Sequence, residues 1–325
     1  MKTKIKSIAV TALALSLTSF SALAEKWDMP AAYSAGNHVT SAYIDFAKQV
    51  TENSGGALEI VVHPSGSLYP GGEILRAVRS GQVSIGGRYM GAHAKEDSVF
   101  GMDTVPFLAT NISDAKKLYS ASKPAIEKAL EKRGMKLLFM APWPAQGLFH
   151  RKQVNSLADM KGVKFRAYDA STSRLAALMG AVPITTEATE ISQAFSTGVA
   201  DSMVGSGAIG VFQKLWDYVD YFYLINAWIP KSAAIVNKDA FESLSPEIQQ
   251  VVMQAAASAE QSVWSKVNAV TEGYNAKLAE NGMKVQVPSA TLQAELENIG
   301  KTMAQEWAEK ANSASQTALK AYQAK

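Results

Sequence analysis

The chain has 325 residues, with 32 lysines and arginines against 29 aspartates and glutamates, and no cysteine. This near balance of charge gives no footing for nucleic acid or an acidic membrane surface. The missing cysteines exclude disulfides, thiolate chemistry and cysteine metal sites, and the length supports two lobes, each with a core.

The first element reads as an export signal. Lys2, Lys4 and Lys6 form a positive start, Ile8 to Leu17 is mostly apolar, and Ala22-Leu23-Ala24 gives the small-x-small pattern cut by signal peptidase. Residues 1–24 are therefore expected to be a signal peptide cut after Ala24. The run is broken by Thr11, Ser16, Thr18 and Ser19, and it falls short of the roughly 20 apolar residues of a membrane span. No later stretch is apolar enough to be embedded in a bilayer. Removal of the signal takes three lysines and no acid, leaving 29 residues of each sign. The expected location is the periplasm. An exported chain without disulfides must be held by its core alone, which suits a large α/β protein.

Beyond the signal, strand and helix patterns alternate. Val39, Ala42, Tyr43, Phe46 and Val50 recur at helical spacing until Gly55-Gly56. A β-branched strand follows at 57–63, closed by Pro64. A helix at 73–80 ends at Gly81, and a short strand spans 83–85. Further strands are predicted at 135–140, 163–168, 201–204, 233–237 and 283–287, with helices between them. The pattern is that of a layered α/β architecture with mostly parallel sheets. Ser245 and Pro246 form an N-cap and first helical position, and apolar residues then recur until Asn281-Gly282. A helix of about 36 residues would run about 54 Å. It either breaks or lies across two lobes. The last 15 or so residues read as a surface helix.

Arg166 sits near the carboxyl end of the strand 163–168, where α/β proteins place ligand clefts. Its planar fork matches a carboxylate with two parallel bonds, although alone it also reads as a solvated surface charge. Gly205-Ser206-Gly207-Ala208-Ile209-Gly210 satisfies G-x-G-x-x-G. It lies late in the chain, so it reads as a turn where backbone approaches something closely, a ligand included. The four histidines share no metal-ligand spacing, and no G-x-S-x-G elbow is present. Trp143 between two prolines, Tyr89 after Gly86-Gly87-Arg88, and Trp228 before Pro230 are all assigned to loops beside strand ends. Each also reads as core, but together they suggest an aromatic-lined cleft.

Three segments then carry a resemblance. Asp159 to Arg166 fits D-x-K-G-x-K-x-R, Gly180 to Pro183 fits G-A-x-P, and Glu190 to Asp201 fits E-x-x-x-A-x-x-x-G-x-x-D, in that order. The chain resembles the DctP-type substrate-binding proteins of tripartite ATP-independent periplasmic (TRAP) transporters along nearly its whole mature length. The resemblance implies a type II-like periplasmic binding protein with two α/β lobes, hinge strands and a long helix across both. Lobe I would comprise 25–145 and 232–272, and lobe II 146–231 and 273–325. It further implies that Arg166 pairs with a ligand carboxylate, that the partners are the small and large membrane subunits of a permease, that the protein acts as a monomer, and that no cofactor is needed. Sialic-acid-binding members carry an arginine where Gln146 stands, and an asparagine where Gly205 stands beside Ser206. Sialic acid is therefore disfavoured. A smaller monocarboxylate is expected, of the aromatic or branched 2-oxo or 2-hydroxy class, held by Arg166, Gln146 and Ser206 and packed on Trp143, Tyr89 or Trp228. Three other classes stay open from the residues: an exported hydrolase, a dinucleotide oxidoreductase suggested by the glycine turn, and a receptor that presents its ligand to a sensor.

Overall fold

The computed structural model describes residues 25–324; the expected signal peptide lies outside the described residues. In chain order, β1 (Glu25–Pro30), α1 (His38–Asn53), β2 (Leu58–His63), α2 (Ile74–Arg79), β3 (Ile85–Tyr89), α3 (Ile112–Glu131) and β4 (Met135–Pro142) form the first part. The second holds β5 (Gly147–His150), β6 (Lys164–Ala167), α4 (Ala170–Leu178), β7 (Val182–Thr185), α5 (Ile191–Ser196), β8 (Ser202–Gly205), α6 (Gly207–Phe212) and β9 (Tyr221–Tyr223). The chain returns through β10 (Lys231–Asn237) and α7 (Lys238–Ser243). It ends with α8 (Pro246–Glu280), β11 (Lys284–Gln286), α9 (Ala290–Lys310) and α10 (Ser313–Gln323).

Two sheets result, one in each lobe of an α/β fold. In the first, β3-β10-β4 continues into the parallel pair β1-β2 through a bridge between Ala31 and Gly87. The second has the order β11-β9-β5-β8-β6-β7. The sheets are mostly parallel, as expected, and each is made mixed by one antiparallel strand. The odd strand in each is the one that has just crossed between lobes. β5 runs antiparallel to β8 and β9, and β10 runs antiparallel to β3 and β4. A strand entering from the opposite lobe arrives with its direction reversed, and no local pattern in the sequence records that.

Apolar periodicity builds the cores. Asn37 caps α1 by accepting from Val39 N, and Val39, Phe46 and Val50 then face Phe139 and Ile235 in the first core. β3 lies further along the chain than expected: its strand runs from Ile85 through Tyr89, not 83–85. Gly86 and Gly87 make this possible. A Cβ on Gly87 would sit 2.3 Å from the Tyr43 ring, so only glycine lets the strand pack there.

α8 is a single unbroken helix of 35 residues, capped by Ser245. At 1.5 Å per residue it runs about 52 Å. Val252, Ala256, Val263 and Trp264 lie in the first core, and Leu278 lies in the second lobe with Phe149 and Phe222. Trp264 Nε1 donates to Met140 O at 3.0 Å. α9 sets Leu292, Leu296 and Met303 into the second lobe's core. α10, grouped from the sequence with lobe II, packs Ala318 against Leu118 and Met102 of the first lobe. Tyr322 Oη donates to Leu108 O there at 2.8 Å.

The glycine motif does a packing job. A Cβ on Gly207 would meet Asn275 Oδ1 of α8 at 2.6 Å, and one on Gly210 would meet the Phe149 ring at 2.7 Å and Leu278 at 3.1 Å. These glycines let α6 lie against the lobe-spanning helix. Phe149 is itself stacked on Phe222 at 4.2 Å and has nowhere to yield. Overpacking costs about 1–3 kcal/mol, which exceeds the gain of about 1 kcal/mol in helix propensity on replacing glycine by alanine. Gly210→Ala should therefore destabilise the protein. Gly273→Ala, on α8 with nothing within 4 Å, should stabilise it by up to about 1 kcal/mol. Denaturant midpoints of the two variants against wild type test the opposite signs.

Candidate functional site

The lobes join where two stretches of chain cross side by side, 143–146 outward and 224–230 back. Trp143 N donates to Pro230 O, Gln146 N to Trp228 O, and Ala227 N to Gln146 O, each at 2.9 Å. Prolines at 142, 144 and 230 stiffen the pair by fixing φ. Beside this junction lies a half-open cavity of about 70 Å³. On that measure a single water needs about 10–15 Å³, so the chamber has room for a small ligand.

Arg166, Gln146, Trp143, Tyr89, Gly205 and Ser206 all line this cavity. Trp228, expected in a loop beside it, does not. Trp228 is 1% exposed and belongs to the core of the second lobe with Phe165 and Leu296. Its backbone carbonyl serves the junction while its ring turns inward. Tyr89 closes β3 rather than sitting in a loop beyond it.

Arg166 is 4% exposed on β6. Its Nε and Nη2 donate to Thr186 O at 3.2 and 2.8 Å, and the guanidinium lies over the Tyr168 ring at 5.2 Å. Among the described residues it forms no ion pair. Burial is the main force on it and lowers its pKa, with Tyr168, Tyr33, Glu187 and Asp169 opposing. A guanidinium nonetheless stays charged in a protein. Lys231, the buried cation at the head of β10, differs: it sits 2.8 Å from Asp103 Oδ2, though off the ideal hydrogen-bond direction.

Trp143 is fixed by Nε1 donating to Ser232 Oγ at 2.9 Å and by the Tyr33 ring edge-on at 4.6 Å. Gln146 Nε2 donates to Pro144 O at 3.0 Å, and its Oε1 accepts from Tyr168 Oη at 3.4 Å. Ser206 caps α6 by accepting from Ile209 N at 3.4 Å, which leaves its hydroxyl proton to donate. Two hydrogen bonds fasten one lobe to the other at the rim. Tyr89 Oη donates to Asp169 Oδ2 at 2.8 Å, and Ser171 Oγ donates to Thr104 O at 3.1 Å.

Among the lining residues with polar or charged side chains, sequence reasoning missed Tyr33, Arg88, Tyr168 and Glu187. Alternation offered one of them, because Tyr168 stands two residues beyond Arg166 and so on the same side of the chain. Arg88 was visible as a charge inside an apolar stretch. Tyr33 and Glu187 lie in connecting segments with no periodic signal. Among the described residues no group of three or more histidines, aspartates or glutamates is placed to hold a metal ion, and no helix is long and apolar enough to cross a membrane.

Two α/β lobes joined by a paired crossing, with a small cationic chamber at the junction, define a solute-binding protein. The DctP model, described as bacterial extracellular solute-binding protein, family 7, matches residues 31–311, and the chain belongs to that family. An extracytoplasmic solute receptor of Bordetella pertussis that binds pyroglutamic acid is 43% identical, with a TM-score of 0.91 over 92% of this chain and 100% of that one. A marine metagenome TRAP solute-binding protein specific for pyroglutamate is 39% identical, with a TM-score of 0.91 over 93% of this chain and 99% of that one. The 2,3-diketo-L-gulonate-binding periplasmic protein of Escherichia coli (strain K12) is 25% identical over 220 residues, 66% of either chain.

His38 supports the chamber from behind. Its Nε2 meets Pro142 O at 3.0 Å and its ring stands edge-on to Trp143 at 5.2 Å. Burial holds its pKa down at about 4, against 6.5 ordinarily, with the Pro142 carbonyl opposing. The unfolded chain therefore binds a proton that the folded protein refuses between about pH 6.5 and 4. Stability is present above the ordinary pKa and is lost as pH falls through this window, by up to about 3 kcal/mol. Urea unfolding at pH 7 and pH 4.5 should show a smaller loss in His38→Gln than in wild type.

Proposed function

We propose that this protein is a periplasmic receptor that captures a compact monocarboxylate between its lobes and delivers it to a TRAP permease of a small and a large membrane subunit. The observation that carries the reading is Arg166: a buried guanidinium without an ion pair, at the wall of a small cavity beside the crossing. Such a charge is costly until an anion meets it, and a carboxylate in a low-dielectric pocket meets it with two charge-assisted bonds. Two guanidiniums, Arg88 and Arg166, and one carboxylate, Glu187, line the chamber. They leave one net positive charge, which favours a monoanion over a dicarboxylate.

The relatives that are about 40% identical and bind pyroglutamate support that acid as the leading candidate. Its five-membered ring suits the small volume better than the aromatic acids considered from sequence. Gln146, Ser206, Trp143 and Tyr89 would complete the contacts. Trp228 would act through the backbone of the junction. The stretches 143–146 and 224–230 would be the hinge, and the rim bonds of Tyr89 and Ser171 would hold the closed form.

Thermal unfolding of the mature chain tests this reading. At a hundred times its dissociation constant a ligand adds about 2.7 kcal/mol, so pyroglutamate should raise the Tm by about 5 °C, while D-galacturonate should not. Arg166→Met should abolish the shift. An equal shift in that variant would remove Arg166 from the site, and a shift with the sugar acid alone would replace the ligand class.

A further inference from the structure

The reading above gives Arg166 to the carboxylate and leaves a second cation in the same chamber without a task. Arg88 is 7% exposed and comes from β3, in the other lobe. Its Nε donates to His93 Nε2 at 3.1 Å. Arginine has no acceptor, so His93 must present a lone pair at Nε2 and carry its proton on Nδ1. Nδ1 lies 2.7 Å from Glu96 Oε1, where that proton is donated. Glu96 is held in turn by Arg79 at 3.2 Å and Arg133 at 3.8 Å. This run of contacts fixes the Arg88 guanidinium from one side.

The other side faces the cavity. Among the described residues, Nη1 and Nη2 of Arg88 take no hydrogen-bond partner, so four of its five N–H groups remain to be met. Gly71 stands next to Nη1; a Cβ there would come within 3.0 Å of it and within 3.6 Å of Glu187 Oε2. The missing side chain thus leaves the guanidinium's end uncrowded. Arg88, Arg166, Glu187 and Tyr33 all line this one small space.

We infer that Arg88 is a specificity-determining residue that donates to a neutral carbonyl oxygen at the end of the ligand opposite its carboxylate. The inference rests on the receptor reading above. A second carboxylate is the wrong partner, because Glu187 already offsets one of the two cations. A neutral carbonyl satisfies Arg88 without adding charge. The two arginines stand on different lobes, so an acid with acceptors at both ends ties the lobes together, whereas an acid with only a carboxylate engages one lobe. His93 and Glu96 are positioning residues: they aim Arg88 and do not touch the ligand.

Isothermal titration with three ring acids tests this. Pyroglutamate reports the receptor reading. The acid 3-oxocyclopentanecarboxylate keeps the ring carbonyl and loses the N–H, and cyclopentanecarboxylate has neither. Wild type should bind the keto acid about 100-fold more tightly than the plain acid, as expected for a site built to hydrogen-bond that oxygen. Arg88→Met should bring that ratio close to one, with the plain acid weakened only by the loss of one positive charge from the chamber and the keto acid weakened by that and by the lost hydrogen bond. An unchanged far-UV circular dichroism spectrum and an unchanged ligand-free Tm show that the variant is folded. His93→Leu should reduce the ratio about 10-fold by releasing the guanidinium. Arg166→Met should lose all three acids. The inference is overturned if wild type binds keto and plain acids equally, if Arg88→Met keeps the ratio, or if it weakens both acids alike. Wild type that binds none of the three sinks the receptor reading, and this inference with it.

Discussion

A guanidinium keeps its proton in a protein, so burying one commits the fold to supplying something that meets the charge. Arg166 gets two bonds to the Thr186 carbonyl and a tyrosine face, and no carboxylate. That is enough to hold the side chain in place and leaves its charge available. Much of the site follows from this constraint. Trp143 and Tyr33 pack edge to face at the chamber wall, Gln146 and Tyr168 hold one another, and the rim bonds tie the second lobe to the first beside the chamber. Under the proposed function, low local dielectric would strengthen an anion's hold on the arginine.

The frame around that charge combines stiff and compliant parts. Two of the connections between the lobes are short stretches, each with proline at or beside it, bonded to one another through their backbones. Such a junction can bend without breaking sheet hydrogen bonds, because the sheets end on either side of it. α8 and the tail from α9 to α10 also bridge the lobes. α10 returns to α3 and the segment before it, so the chain's end ties back to its first half. Three of the motif glycines, at 205, 207 and 210, seat α6 in this arrangement. A motif that matches a dinucleotide turn by spacing is here a solution to helix packing, which the same residue type satisfies for a different reason.

Charge balance connects the chamber to selectivity. Lys231 lies close by but is matched by Asp103, so it adds no net charge to the region. Arg88 and Arg166 stand on different lobes, with Glu187 near the first. The chamber is therefore cationic by one unit and small. Under the proposed function, both properties count against polyhydroxylated and doubly charged acids, the first through size and the second through the resident carboxylate.

Local rules carried much of the fold. Ser245, Pro246 and Asn281-Gly282 bounded α8 within a residue, because caps and helix formers act over a few positions. The strands at 135–140, 163–168 and 233–237 were legible from apolar runs, and Arg166 from its place at a strand end within an ordered set of motifs. Tertiary structure decided the rest. It ran β5 and β10 against their neighbours, since strand direction depends on where the chain crosses. It extended β3 through two glycines whose reason lies in the Tyr43 ring on another element. It drew Trp228 into a core and left Tyr89 at the chamber wall, although both look alike in sequence. It also brought Tyr33, Arg88 and Glu187 to Arg166 from separate segments. Periodicity shows which residues turn inward on their own element. Which inward-facing residues then share one space is set by the packing of elements that meet only once the chain has folded.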